Sequence, residues 1–156
     1  MKLPENIISL INDEPVIGHF ATSVDDSPHV TPVWLDYDPT ADLILIDTMS
    51  DALKLKHVRQ NPKISISFVS PGNSSLWVAI KGAVVSIDDM GDDCSHVQAL
   101  AYKYLGRSKG YPGHRVILNI QISRFRWWGE TAPASAVDTN ESSMVSDSVL
   151  LLQPLI

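Results

Sequence analysis

Residues 29–62 read HVTPVWLDYDPTADLILIDTMSDALKLKHVRQNP. Two strand-like runs lie either side of a turn, and a helix follows. Residues 29–37 are rich in Val, Thr and aromatics, as strands are. Pro32 cannot donate a ladder hydrogen bond, so it predicts an edge or an irregular point. Asp38-Pro39-Thr40 reads as a turn. Residues 43–48, LILIDT, are nearly all apolar and predict a strand buried on both faces. The period then changes. Ser50-Asp51 can cap a helix, and Asn61-Pro62 ends it. On that helix Leu53, His57 and Gln60 share one side, and Lys54, Leu55 and Val58 share another.

Upstream, Ile7, Ile8, Leu10 and Ile11 stand at helical spacing after Pro4. VIGHFATSV, residues 16–24, predicts a strand, and Asp25-Asp26 followed by Ser27-Pro28 predicts a turn. Downstream, residues 63–70 alternate: Ile64, Ile66 and Phe68 face one way, Ser65, Ser67 and Val69 the other. Pro71-Gly72-Asn73 is a turn. Residues 76–88 form a long strand in which Gly82 marks a bulge or bend. Residues 91–106 predict a helix with a stripe of Val97, Leu100, Ala101 and Tyr104, stopped by Gly106. Residues 107–113 are a loop, 115–122 a last strand, and 125–128 extend or follow it. About six strands and three helices result, the strands mostly hairpin-linked. That pattern predicts a mainly β fold, an antiparallel barrel or sandwich with flanking helices, rather than alternating βαβ units.

After Gly129 the composition shifts to Ser, Ala and Thr, with no Lys or Arg, and the chain ends in VLLLQPLI. The sequence thus divides into a domain over residues 1–128 and a tail over 129–156, expected to be partly disordered or docked. Charge divides the same way. The 156 residues hold 12 basic and 18 acidic side chains, net -6. Glu130, Asp138, Glu141 and Asp147 give the tail -4, leaving 12 basic against 14 acidic groups, net -2, in the domain. That balance argues against nucleic acid, whose backbone is gripped by a surplus of Lys and Arg. It also argues against a polybasic membrane anchor. No run reaches the roughly 18 apolar residues of a membrane span, and MKLPENIISLINDEP does not read as a signal peptide. The single cysteine, Cys94, excludes an internal disulfide and fits a reducing, cytoplasmic setting. The sequons at Asn73 and Asn140 are therefore read as chance.

The sequence lacks a Gly-rich phosphate loop and a nucleophile elbow. Its five histidines are scattered, giving no metal-ligand spacing, and Asp92 and Asp93 beside Cys94 disfavour a catalytic thiolate. The exception to the acidic balance is Lys54, Lys56, His57 and Arg59, with Lys63 just beyond. These follow a strand end and open a helix, a setting that gathers backbone N–H groups, the Ser50 hydroxyl and ammonium groups as anion sites do. A solvated helix face would have the same composition. His29-Val30-Thr31-Pro32-Val33-Trp34 combines hydrogen-bonding groups with an aromatic plane, fitting either a flat heteroaromatic ligand or a half-buried core strand. Trp77 and Lys81 share a strand face, where cross-strand packing competes with a ligand role. Trp127-Trp128 fits an interface or a pocket wall.

The order of these segments resembles the pyridoxamine 5'-phosphate oxidase-like split β-barrel flavoproteins over roughly residues 5–128. It is most similar to the branch that uses the deazaflavin F420, or in some members FMN. The most specific piece is a T-P-V-W strand, a short apolar strand ending in Thr, and then K-x-[KR]-x-[LV]-[KR]-x-[ND]-P. The resemblance implies a split barrel of about six antiparallel strands. It implies a homodimer with a cofactor groove between the chains. The ring would rest near His29, Val30, Thr31, Pro32, Val33 and Trp34, and the phosphate-linked part near Asp47, Thr48, Ser50, Lys54 and Lys56. Residues around Trp77 and Arg115 would close the groove from the partner chain. The implied activity is hydride transfer between F420, or FMN, and a small organic substrate. The alternative is a non-catalytic carrier of flavin, F420 or haem on the same barrel. FMN needs one phosphate site, whereas F420 adds an oligoglutamate tail and asks for a longer basic track. Tyr102, Tyr104 and His29 are the side chains that could supply a proton.

Overall fold

A computed structural model describes residues 1–108, 110–111 and 113–129; the predicted tail lies outside the described residues apart from Gly129. The chain opens with α1 (Glu5–Asp13), whose Ile7, Ile8, Leu10 and Ile11 are buried. The Pro4 carbonyl accepts from the N–H groups of Ile7 and Ile8, both at 3.0 Å, so the proline begins the helix from the cap position. Then come β1 (Ile17–Val24) and β2 (Ser27–Trp34), antiparallel with Val24 opposite Ser27. Asp25 and Asp26 between them both take positive φ, 51° and 60°. That matches the mirror-image two-residue turn suited to the right-handed twist of strands, which Asp tolerates well.

After β3 (Asp36–Asp38) and β4 (Leu43–Met49) come α2 (Leu53–Gln60), β5 (Lys63–Ser70), β6 (Asn73–Gly91), α3 (Ser95–Leu105) and β7 (Arg115–Trp128). The seven strands form one sheet in the order β2-β1-β5-β6-β7-β4-β3, and every neighbouring pair is antiparallel. The register of β6 against β7 shifts three times, the first at Lys81/Gly82. Bulges bend a strand and raise its twist, so β6 curls the sheet into a split barrel. A Cβ at Gly82 would run into the Gln121 carbonyl, which is why the bend carries glycine. Phe20, Ile44, Ile46, Leu55, Ile66, Phe68, Ile80, Leu118 and Ile120 fill the interior.

Several expectations hold. Ile64, Ile66 and Phe68 are buried and alternate with exposed neighbours on β5. Pro32 lies on β2, an end strand of the sheet. Gly106 stops α3 at φ 67°, its N–H donating to the Tyr102 carbonyl at 3.0 Å. Residues 125–128 continue β7 without a break.

Others need correction. The strand expected over residues 29–37 breaks at Leu35. Its N–H donates to Tyr104 Oη (2.8 Å) and its carbonyl accepts from Lys103 Nζ (2.6 Å), so α3 takes both groups that would continue a ladder. β4 is buried on one face only: Ile44, Ile46 and Thr48 point inward, while Leu43, Leu45, Asp47 and Met49 are half-buried. Ser50 and Asp51 do not cap α2. The cap position is Ala52, with no side-chain bond to the helix, and the Ser50 N–H instead donates to the His114 carbonyl at 2.9 Å. α2 buries Leu55 and Val58, while Leu53 is exposed. α3 begins at Ser95 rather than Gly91, because Gly91, at φ 56°, ends β6.

Candidate functional site

The basic cluster is resolved residue by residue. Lys54, in the first turn of α2, is half-buried, and its Nζ donates to Thr48 Oγ1 at 3.4 Å. Thr48, next to the last residue of β4, is itself buried. Among the described residues no carboxylate lies within 4 Å of the Lys54 ammonium. Burial pulls the Lys54 pKa down, and the nearby Arg115 guanidinium pulls it further. Two cations are thus held close together in a partly desolvated place, an arrangement that an anion relieves. The first turn of α2 has no side-chain cap, which leaves its leading N–H groups for a ligand to bond.

Arg115 is the first residue of β7 and stands opposite Met49 of β4. Its Nε and Nη2 donate to Asp47 Oδ1 at 2.6 and 2.5 Å, and its Nη1 meets Met49 Sδ at 3.1 Å. The Asp47 side chain is only 2% exposed, so a full ion pair holds it. Its other oxygen meets His96 Nδ1 at 3.1 Å, and His96 Nε2 meets Asp36 Oδ2 at 3.2 Å. A neutral imidazole would turn a lone pair toward one of these carboxylates, so the geometry calls for imidazolium. Burial pushes the His96 pKa down, but hydrogen bonds to Asp36 and Asp47 outweigh it and raise it to about 9. For Asp36, burial pulls upward, and the His96 hydrogen bond together with the charges of Lys103 and His96 brings the net below the usual carboxylate range.

β2 frames the same region from the other side. His29 packs edge-on against His57 of α2, ring centres 5.3 Å apart, and His57 Nδ1 lies 2.9 Å from Thr22 Oγ1. Trp34 stacks on Tyr104 of α3 at 4.8 Å and meets Tyr111 edge-on at 6.0 Å. The Arg115 guanidinium lies 5.8 Å from the centre of the Tyr111 ring. His29 thus meets α2 through His57, Lys54 of the same helix reaches Thr48 and feels the charge of Arg115, and Arg115 is joined through Tyr111 to Trp34. Two hydroxyls in this region, Thr31 Oγ1 and Tyr111 Oη, are buried without a hydrogen-bond partner among the described residues. Val33 is core, while Val30 and Pro32 are exposed on the outer side of β2. There Val30 borders an open groove of about 430 Å³, lined also by His19, Ser67, Ala79, Lys81 and Phe125.

The fold thus gathers Asp47, Thr48, Ser50, Lys54 and Arg115 at one end of β4. Lys56 is exposed on a different face of α2 from Lys54, as two-residue spacing dictates. Trp77 stands opposite Trp128 at the far end of β7 from Arg115, on the outer sheet face. Of the side chains considered for proton supply, Tyr104 is engaged: its hydroxyl donates to the Val16 carbonyl at 2.5 Å, and burial raises its pKa to about 12. Tyr102 is exposed on α3. Asp36, His96 and Tyr111 carried no local signal, being tied to the site only by contacts spanning long stretches of chain.

Comparison with known proteins agrees with the architecture. No curated protein matches the chain by sequence. Among solved structures, an F420 reductase superposes with a TM-score of 0.68 at 23% identity, covering 80% of this chain and 98% of that one. A conserved hypothetical protein of Mycobacterium tuberculosis gives 0.62 at 18% identity, covering 86% and 95%. A FAD-binding protein of Mesorhizobium loti gives 0.53 at 19% identity, covering 80% and 94%. At these identities the likeness is one of fold. The family model described as pyridoxamine 5'-phosphate oxidase matches residues 3–129, nearly the whole described domain, and the chain belongs to that family of split-barrel proteins.

Proposed function

We propose that the protein is an oxidoreductase that holds a flavin-type cofactor, F420 in preference to FMN, and acts on a small organic substrate. The observation that carries this reading is Lys54: a half-buried ammonium beside Arg115, bonded to a buried threonine and lacking a carboxylate partner among the described residues. A phosphate group fits that donor set, with Thr48, Ser50 and the α2 N-terminus as further donors. The unpartnered Thr31 hydroxyl on β2 gives a ring-edge group something to bond. Fold likeness to an F420 reductase and to a FAD-binding protein is in keeping with a flavin-type ligand. The preference for F420 rests on the T-P-V-W strand and on that first likeness.

A bound flavin or deazaflavin supplies the hydride chemistry, and the protein supplies binding and orientation. Asp47 fixes the Arg115 guanidinium from behind, so the group meets an anion in one orientation. Lys54 and Thr48 hold the phosphate end, and β2 supports the ring. With Tyr104 engaged by backbone, His29 is the side chain on β2 able to move a proton. A second copy of the chain would close the groove with its outer sheet face.

The test is a fluorescence and absorbance titration of the purified protein with F420 and with FMN. Binding of at least one at micromolar concentration is expected; binding of neither overturns the reading. Lys54→Glu should weaken either cofactor by about a hundredfold, since it removes one partner of a desolvated charge pair and adds a repulsive one. Lys56→Glu, on an exposed face, should weaken F420 with its anionic tail more than FMN. Tight binding without turnover by any reductant or substrate would make the protein a carrier instead.

A further inference from the structure

We propose that His96 is a positioning residue for the anion site: as an imidazolium between Asp36 and Asp47, it shares the Asp47 charge and so leaves more of the Arg115 positive charge uncompensated to attract a phosphate beside Lys54. This rests on the phosphate reading given above. Asp36 on β3, Asp47 on β4, His96 on α3 and Arg115 on β7 form one chain of contacts, each link between 2.5 and 3.2 Å. With His96 protonated, two carboxylates face two cations and the group is neutral. With His96 neutral, the same group carries one negative charge.

That negative charge would lie directly behind the place where Lys54 and Arg115 meet an anion. The groups facing the ring are Asp36 and Asp47. One contact further out stand Arg115, bonded to Asp47, and Lys103, whose charge acts on Asp36. The His96 side chain is 17% exposed and Asp47 only 2%, so water screens the exchange weakly. Nothing else in the arrangement needs a histidine. A neutral amide could bridge two helices or strands, but it could not supply the second positive charge.

The experiment measures Kd for FMN, F420 and inorganic phosphate from pH 6.5 to 10 with the full chain, its His96→Gln variant and its Asp36→Asn variant. His96→Gln should weaken the cofactor about tenfold at pH 7, the effect of about 1.4 kcal/mol of added repulsion in a partly screened site. It should also remove the loss of affinity expected of the parent protein as pH rises through about 9, leaving only the titration of Lys54. Asp36→Asn withdraws one supporting carboxylate, so the pH at which affinity falls should move down while the fold, checked by circular dichroism, is kept. A purely structural His96 would move stability and leave both the Kd and its pH profile in the folded variants unchanged, and that result overturns the assignment. Should His96→Gln fail to fold, an unmoved midpoint in Asp36→Asn overturns it equally. Absence of binding by the parent protein overturns the anion site itself, whereas binding by the parent with unaltered variants overturns only the role of His96.

Discussion

Thr31 carries one hydroxyl, and that hydroxyl is enclosed without a hydrogen-bond partner among the described residues. A buried unpaired hydroxyl costs about 1–3 kcal/mol, so its removal should not harm the free protein. Thr31→Val is therefore expected to leave the thermal midpoint unchanged or slightly higher, while cofactor affinity falls several-fold. A loss of more than about 2 kcal/mol in denaturant unfolding would mean that the hydroxyl bonds within the protein. The residues of the candidate site were unequally legible in the sequence. Lys54 and Thr48 could be read from local order, because a strand end feeding a helix start brings them within reach. His96 could not: it meets Asp47 and Asp36 across 49 and 60 positions of chain. A lone histidine on a helix gives no hint of two carboxylates waiting on different strands. Trp34 was legible as an aromatic beside the groove, but not that Tyr104 already covers one of its faces.

At the scale of elements, α3 is the piece that the rest of the fold holds by polar contacts. Tyr104 bonds the Val16 carbonyl and Leu35, Lys103 Nζ donates to the Ile11 and Leu35 carbonyls, and His96 bridges Asp36 and Asp47. These bonds also explain the break between β2 and β3. The folded His96 pKa, about 9, lies above its ordinary value of 6.5. The folded state therefore binds the proton more tightly than the unfolded chain does. The stabilisation is fully present below about pH 6.5 and is lost as pH rises through about 9, and it amounts to roughly 3 kcal/mol. Thermal unfolding followed from pH 6.5 to 10 should show a falling midpoint. Hydrogen exchange should open the α3 amides before those of β6 and β7. A flat midpoint across that range would contradict the imidazolium clamp. Element types were readable throughout, because periods of 2 and 3.6 rest on local geometry. Their ends were less so: Gly91 and Leu35 stop where they do because of turns and partners elsewhere in the fold.

For the molecule as a whole, the outer sheet face is an apolar surface left exposed among the described residues. Ile17, Val30, Val69, Trp77 and Trp128 are all exposed there, Trp128 by 62%. Val69 faces Trp77 and Trp77 faces Trp128 across neighbouring strands, making a continuous apolar row. Rows of this kind mark interfaces more often than open surface. Sedimentation velocity on the full chain should give twice the monomer mass, and Val69→Lys combined with Trp128→Lys should return it to the monomer. If the groove is shared between chains, cofactor affinity should fall with the dimer in the same double variant. A monomeric parent protein that binds cofactor at full affinity would refute the shared groove. Among the described residues no helix is long and apolar enough to cross a membrane.

Local order along the chain is enough to specify the mainly antiparallel β fold, the placing of three helices, the bulge at Gly82 and the basic helix that follows the β4 strand. Each depends on periodicity, turn chemistry or neighbours a few residues away. Which charges oppose one another follows from the folded arrangement alone: Arg115 belongs to Asp47, Lys54 lacks a carboxylate among the described residues, and His96 joins two strands. Those pairings depend on how strands far apart in the chain are brought into register, and electrostatic energy is set by distances in space rather than by spacing along the sequence.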